Sequence, residues 1–215
     1  MCSISPKDRI GSSIRHAAVV LQQGGIVAFP TETYYGLAVD PDCESAVARL
    51  FQVKQRQAYK PLLLLIDRSE QLSDLVSEIP HRYWELMEKF WPGPLTLVFP
   101  ARKNLSRQLT GNTGTIGIRI SPHPIARKLV RKMGKPITAT SANLSGAAPA
   151  KTADEVFEMF QNRVDYILDG GETAAGLCST VVGLQDGNLT ILRKGQVDVE
   201  SELAGNDGKT CHKGL

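Results

Sequence analysis

Lys54 and Arg56 stand two residues apart, Arg119 lies between Ile118 and Ile120, and Arg193 follows the apolar pair Ile191-Leu192. Four cations set among neutral or apolar neighbours invite a chemical reading. Small hydrogen-bonding residues accompany them: Thr31 and Thr33 in "PTETYYGL", Ser141 and Asn143 in "TSANLSG", Ser179 and Thr180 in "CSTVV". The chain contains no GxxxxGK[ST], GxGxxG, GxSxG or HExxH motif. Its four histidines, His16, His81, His123 and His212, are scattered. His16 reads as a surface or packing residue and His123, between two prolines, as turn chemistry. Fixed cations without a metal cage or an activated nucleophile suit an anionic substrate, a polyphosphate or a carboxylate, which arginine grips bidentately. Hydroxyls and backbone N–H groups would position the rest. Such a site works by orientation and charge stabilisation.

Each segment also has a structural explanation. Lys54-Gln55-Arg56 complements a helix C-terminus. Thr31 and Thr33 satisfy a turn, and Ser141 and Asn143 cap local backbone. Arg119 is the exception, because a charge alternating with two isoleucines is costly unless it meets water or a partner.

The elements that must hold these residues follow from periodicity. "SPKDRIGSSIRHAAVVLQQGG" reads as a first helix, capped by Ser5 with Pro6 in its first turn and stopped by Gly24-Gly25. "IVAF" reads as a strand before the "PTET" turn. "CESAVARLFQVK", "IPHRYWELMEKF", "PIARKLVRKM" and "TADEVFEMF" read as helices, the last capped by Thr152. "PLLLLI", "LTLVFP", "TIGIRI", "PITAT" and "VDYIL" read as strands, and "TVVGL" and "LTILRK" as a hairpin across "QDG". Strands interleaved with helices predict an α/β protein with one twisted, mixed sheet flanked by helices. In such sheets ligands bind at loops beyond the strand ends, so these loops are expected to converge on one cleft.

The 215 residues, 42% hydrophobic, suffice for one full core. A net charge of +3 is no nucleic-acid signature by itself. Cys2, Cys43, Cys178 and Cys211 form no CxxC, and a chain of this size needs no disulfide framework. The N-terminus has no apolar leader, and the apolar run at residues 62–66 is far too short to span a bilayer. Reduced thiols and no membrane segment predict a cytoplasmic protein. Residues 199–215 lose periodicity and read as a flexible tail behind a domain at 7–198.

"FPTETYYGL", "LFQVKQR", "FWPGPLTLVF", "TIGIRISPHPIA", "PITATSANLSG", "STVV" and "ILRKG" occur in the order and approximate spacing of the YrdC-like family of threonylcarbamoyl-AMP synthases. The chain resembles that family from about residue 10 to 197, and its length resembles the short bacterial form. The resemblance implies a YrdC-like α/β fold with a deep basic concave face. It implies that L-threonine, bicarbonate and ATP give threonylcarbamoyl-AMP and pyrophosphate, with Mg²⁺ held mainly by the phosphates. The product would pass to separate transfer proteins that modify the adenosine beside the anticodon of certain tRNAs. It further implies that Lys54, Arg56, Ser141, Asn143 and Arg193, with Thr115 near them, hold ATP. Thr31, Arg119 and Ser179 would hold threonine, Arg119 pairing with its carboxylate. Lys54 and Arg56 would stabilise charge on phosphorus and on departing pyrophosphate. No protein metal ligand is implied. Leu65 stands where the family commonly has a histidine, and Cys178 where a glutamate is frequent.

Two other functions fit parts of the chain. One is a paralogue with the same fold acting on another acyl- or carbamoyl-adenylate. The other is a module binding tRNA or double-stranded RNA through Arg127, Lys128, Arg131, Lys132 and Lys135, clustered around one helix.

Overall fold

A computed structural model describes residues 9–200 and 202. The chain order is β1 (Ile10–Gly11), α1 (Ile14–Gln22), β2 (Val27–Pro30), β3 (Tyr35–Ala38), α2 (Glu44–Lys54), β4 (Leu63–Leu65), α3 (Leu72–Leu75), α4 (Tyr83–Phe90) and β5 (Leu95–Pro100). It continues with α5 (Arg107–Thr110), β6 (Thr115–Arg119), α6 (Pro124–Met133), β7 (Ile137–Ser141), α7 (Ala153–Phe160), β8 (Tyr166–Leu168), β9 (Thr180–Gln185) and β10 (Asn188–Arg193). The strands form one ten-stranded mixed sheet in the order β1-β8-β2-β3-β7-β4-β6-β5-β9-β10. The α/β class and the mixed sheet are as expected, and so is the β9–β10 hairpin. Its two-residue turn places Asp186 at φ 50° and Gly187 at φ 78°, the conformation a right-twisted hairpin favours.

The first helix differs from expectation. It starts at Ile14, with Ser13 accepting from the His16 N–H. Ile10 belongs instead to β1, paired in parallel with Ile167 of β8. The proposed cap at Ser5 and Pro6 lies outside the described residues. Segments too weakly patterned to stand out also form structure: β3 follows the "PTET" turn, and α3 and α5 are single turns. His16 packs edge-on against Tyr166 at 4.7 Å and His123 caps α6, the packing and turn roles expected. Val199, at the start of the expected tail, is buried in the core. Residues 203–215, with Cys211 and His212, lie outside the described residues, as does Cys2. Among the described residues Cys43 and Cys178 are free thiols, and no helix is long and apolar enough to cross a membrane.

Strand alternation divides the sheet into two faces. Leu64, Leu97, Ile116, Ile118 and Val182 point to one side and join the main core, beneath α2, α4 and α7. On the opposite side α1 and α6 pack together and cover Val27, Phe29, Leu65, Ile137 and Leu168. The α6 pattern Ala126, Leu129, Val130, Met133 supplies the apolar stripe that docks it. These two helices cover much of the β8–β2–β3–β7–β4 part of that face. A cleft opens beside them, lined by β3, β4 and β7 and by β6, β5, β9 and β10.

Candidate active site

The cleft is a cavity of about 270 Å³. Its floor is a row of small and apolar side chains in register across four strands: Ala139, Leu63, Gly117 and Val98. Gly117 keeps that floor low, since a Cβ there would meet Thr96 Cγ2 at 3.3 Å. Period-two alternation sends Thr115, Gly117 and Arg119 into the cleft while Ile116, Ile118 and Ile120 enter the core. That is how a buried arginine can sit inside an apolar strand.

Seven of the nine sequence-chosen residues line this one cavity: Thr31, Arg56, Thr115, Arg119, Ser141, Ser179 and Arg193. They arrive from the β2–β3 turn, the α2–β4 loop, β6, β7, β9 and β10. Gly195 lets the end of β10 lie against β9, because a Cβ there would come within 2.3 Å of the Cys178 carbonyl. Arg193 can therefore reach Ser179, donating to its carbonyl at 2.9 Å and its Oγ at 3.0 Å. Ser179 Oγ also meets Thr96 Oγ1 at 3.0 Å.

Lys54 and Asn143 do not line the cavity. Lys54 is 2% exposed and lies beneath the "TSANLSG" loop, where Nζ donates to the Ser141 carbonyl, to the Asn143 carbonyl at 2.8 Å and to Asn143 Oδ1 at 3.2 Å. Its backbone carbonyl accepts from the Ser145 N–H at 2.9 Å. Asn143 Oδ1 also takes the Ser141 hydroxyl at 2.5 Å, and its Nδ2 donates to the Ala147 carbonyl. Lysine and asparagine thus build the loop from within. Burial, with the nearby Arg56 charge second, pushes the Lys54 ammonium down to about 7.

Arg56 donates to the Pro61 carbonyl at 2.9 Å and keeps its Nε without a partner. Burial lowers its pKa, and Arg193 adds repulsion. Arg119, 5% exposed, is held by Glu32: Nη1 donates to Oε1 at 2.5 Å, and Nε is left without a partner. Burial holds its pKa below the usual range, while Glu32 pulls the other way. Glu32 also accepts from Ser121 Oγ at 2.5 Å.

Sequence reasoning passes over Glu32, the acid that the fold pairs with Arg119. The sign of it was a single acid in an otherwise neutral turn, and only a fold that brings residue 32 to residue 119 reveals its partner. Tyr34 was missed too. It lines the cleft, its hydroxyl donates to the Gly176 carbonyl at 2.7 Å, and it accepts from the Gly176 N–H at 3.1 Å. Cys178 also lines the cavity. Leu65 is fully buried in the core under α1 and α6 and does not line the cleft.

The α6 cations are arranged differently. Arg131 makes a two-pronged contact with Asp67 at 3.0 and 3.2 Å, and Arg127 lies 3.8 Å from the same carboxylate. Lys135 pairs with Asp40 at 2.7 Å and Asp42 at 2.9 Å.

The family model described as "Telomere recombination" (Sua5/YciO/YrdC) matches residues 19–195. A threonylcarbamoyl-AMP synthase of Pyrococcus abyssi is 42% identical over 198 residues, covering 92% of this chain and 58% of that protein. One from Halorhodospira halophila is 39% identical over 157 residues, covering 73% of this chain and 82% of its own. The crystal structure of P. abyssi Sua5 complexed with L-threonine superposes with a TM-score of 0.85 at 41% identity, over 94% of this chain and 58% of that one. Escherichia coli YciO superposes at 0.81 with 25% identity, over 90% and 96%. The chain spans only 58% and 54% of the P. abyssi and Bacillus subtilis relatives. It belongs to the Sua5/YciO/YrdC family.

Proposed function

We propose that the cleft makes threonylcarbamoyl-AMP and pyrophosphate from L-threonine, bicarbonate and ATP, as the names of its relatives suggest. The observation that carries this reading is the convergence of Arg56, Arg119 and Arg193 with Thr31, Thr115, Ser141 and Ser179 on one cavity. ATP lies with its phosphates toward Arg56, Arg193 and the Ser141–Asn143 loop, with Thr115 nearby. Threonine places its carboxylate at Arg119, near Thr31 and Ser179.

The amine of threonine attacks the carbon derived from bicarbonate and forms a carbamate, with loss of water. A carbamate oxygen then attacks the α-phosphorus, and pyrophosphate leaves. The reaction needs no protein nucleophile. The chain orients three reactants and offsets growing negative charge. Arg56 and Arg193 do so directly. Lys54 acts through the loop it anchors and through its charge. Among the described residues no group of three or more His, Cys, Asp or Glu side chains forms a metal cage, and no carboxylate lines the cavity. The donor set therefore suits Mg²⁺ carried by the phosphate oxygens, where it would offset phosphate charge. The product then passes to separate proteins that modify the adenosine beside the anticodon of tRNA.

Pyrophosphate release tests the reading, with L-threonine, L-serine or no amino acid and with bicarbonate present or omitted. Release that requires both threonine and bicarbonate is expected. Release that serine or another amino acid supports better would point to the paralogous reading, in which Cys178 helps to shape a different pocket.

A further inference from the structure

Among the described residues, Glu32 is the one carboxylate that forms an ion pair with a cleft cation. Its side chain is 13% exposed and that of Arg119 6%, so the pair is largely out of water. Glu32 stands behind Arg119 and outside the cavity wall. The other two cleft arginines are held by neutral groups: Arg56 by the Pro61 carbonyl, Arg193 by Ser179. Among the described residues no carboxylate is paired with either. The Arg119 corner carries a guanidinium and a carboxylate and is close to neutral overall. The cleft is therefore graded, cationic toward Arg56 and Arg193 and balanced at Arg119. Arg193 links the two ends, since it lies within electrostatic range of both Arg56 and Arg119.

Two kinds of ligand respond differently to that gradient. A polyanion gains at Arg56 and Arg193 but is opposed at Arg119 by the fixed carboxylate. A zwitterion with no net charge can set its carboxylate on Arg119, and its ammonium is favoured by the field of Glu32. The Glu32 grip, shared with Ser121 Oγ at 2.5 Å, also fixes the plane of the guanidinium. The backbone N–H of His123 donates to the same Ser121 Oγ at 3.2 Å and holds that hydroxyl in place.

We propose that Glu32 is a positioning and specificity-determining residue: it orients Arg119 and rejects phosphate-like anions from its corner, reserving it for the carboxylate of a zwitterionic amino acid. The inference rests on the threonine-synthase reading for the identity of the amino acid, but the rejection of anions can be tested without it.

Inorganic sulfate is the probe, applied to the full chain and to Glu32→Gln, which removes the charge and keeps an acceptor. With wild-type protein, sulfate should inhibit pyrophosphate release competitively against ATP and not against L-threonine. In Glu32→Gln sulfate should become competitive with L-threonine, its inhibition constant falling at least about ten-fold, because a specificity term built on repulsion has been removed. The KM for L-threonine should rise by about five-fold or more while that for ATP stays within about twofold. Glu32→Asp keeps the charge but shortens its reach, so it should raise the threonine KM yet still reject sulfate. A merely structural role would not give that split. Calorimetric titration of sulfate, without ATP or threonine, should show a site in Glu32→Gln that wild type lacks. Unchanged sulfate binding in folded Glu32→Gln would overturn the proposal, as would sulfate competing with threonine in wild type. If Glu32→Gln fails to fold, the wild-type competition pattern alone decides. Absence of any threonine-dependent release would defeat the synthase reading separately, and the calorimetric comparison would still judge Glu32.

Discussion

The cations of α6 and those of the cleft are alike in sequence and opposite in arrangement. On α6, the half- to well-exposed Arg127 and Arg131, and the nearby Lys135, meet the carboxylates of Asp67, Asp40 and Asp42. At the cleft, Arg56 and Arg193, with Lys54 beneath the adjoining loop, are held by carbonyls, a hydroxyl and an amide. A cation already paired with a protein carboxylate gains little from an incoming anion. One held only by neutral oxygens gains more. The comparison explains why the proposed anion site falls on residues less conspicuous than the helix richest in positive charge. Arg119 stands between the two cases, buried like Lys54 and paired like the α6 set.

The largest effect that could break this contrast is at Lys54. Lys54→Ala strands the Ser141 and Asn143 carbonyls that the ammonium now satisfies, and it removes a charge below the loop. The kcat/KM for pyrophosphate release should fall at least about 100-fold, equivalent to about 2.7 kcal/mol. A smaller loss would mean that the loop stands without its anchor. Arg193→Ala comes next. It removes charged hydrogen bonds worth about 1.5–3 kcal/mol, so ATP affinity measured by calorimetry should weaken about ten- to hundred-fold.

Proton linkage sharpens the same contrast. Lys54 is depressed to about 7 from an ordinary 10.5, so the unfolded chain binds the extra proton between those values. Stability should therefore rise with pH from about 7 toward 10.5 through this group, and its contribution is lost as pH falls through 7. A polyphosphate bound nearby favours the charged ammonium. ATP binding above pH 7 should thus take up a proton, seen as a buffer-dependent enthalpy that Lys54→Met abolishes.

The smallest effects belong to α6. Lys128→Glu combined with Lys132→Glu should leave pyrophosphate release within about twofold. Asp67→Asn should cost only about 0.5–1 kcal/mol, a melting shift of about 1–4 °C, because its partner Arg131 is largely exposed. A large loss of activity from either would return the basic helix to the functional surface.

Much of this was legible in the order of residues. Thr152 capping α7, the "QDG" hairpin and the alternation of "TIGIRI" are local effects, set by neighbours within a few positions. The start of α1 was misplaced because Ile10 is drawn into a strand by Ile167, a partner 157 residues distant that no window can reveal. For Lys54, spacing suggests a side chain reaching a ligand, and burial turns it toward the backbone of the Ser141–Asn143 loop.

The sequence by itself determined the α/β alternation, the faces of the strands and the residue types at the cleft, because side-chain period and capping are short-range physics. Only the tertiary structure decided which charges are neutralised. That depends on whether a carboxylate such as Glu32 or Asp67 is folded to within hydrogen-bond reach, and whether burial strips water from the cation it meets.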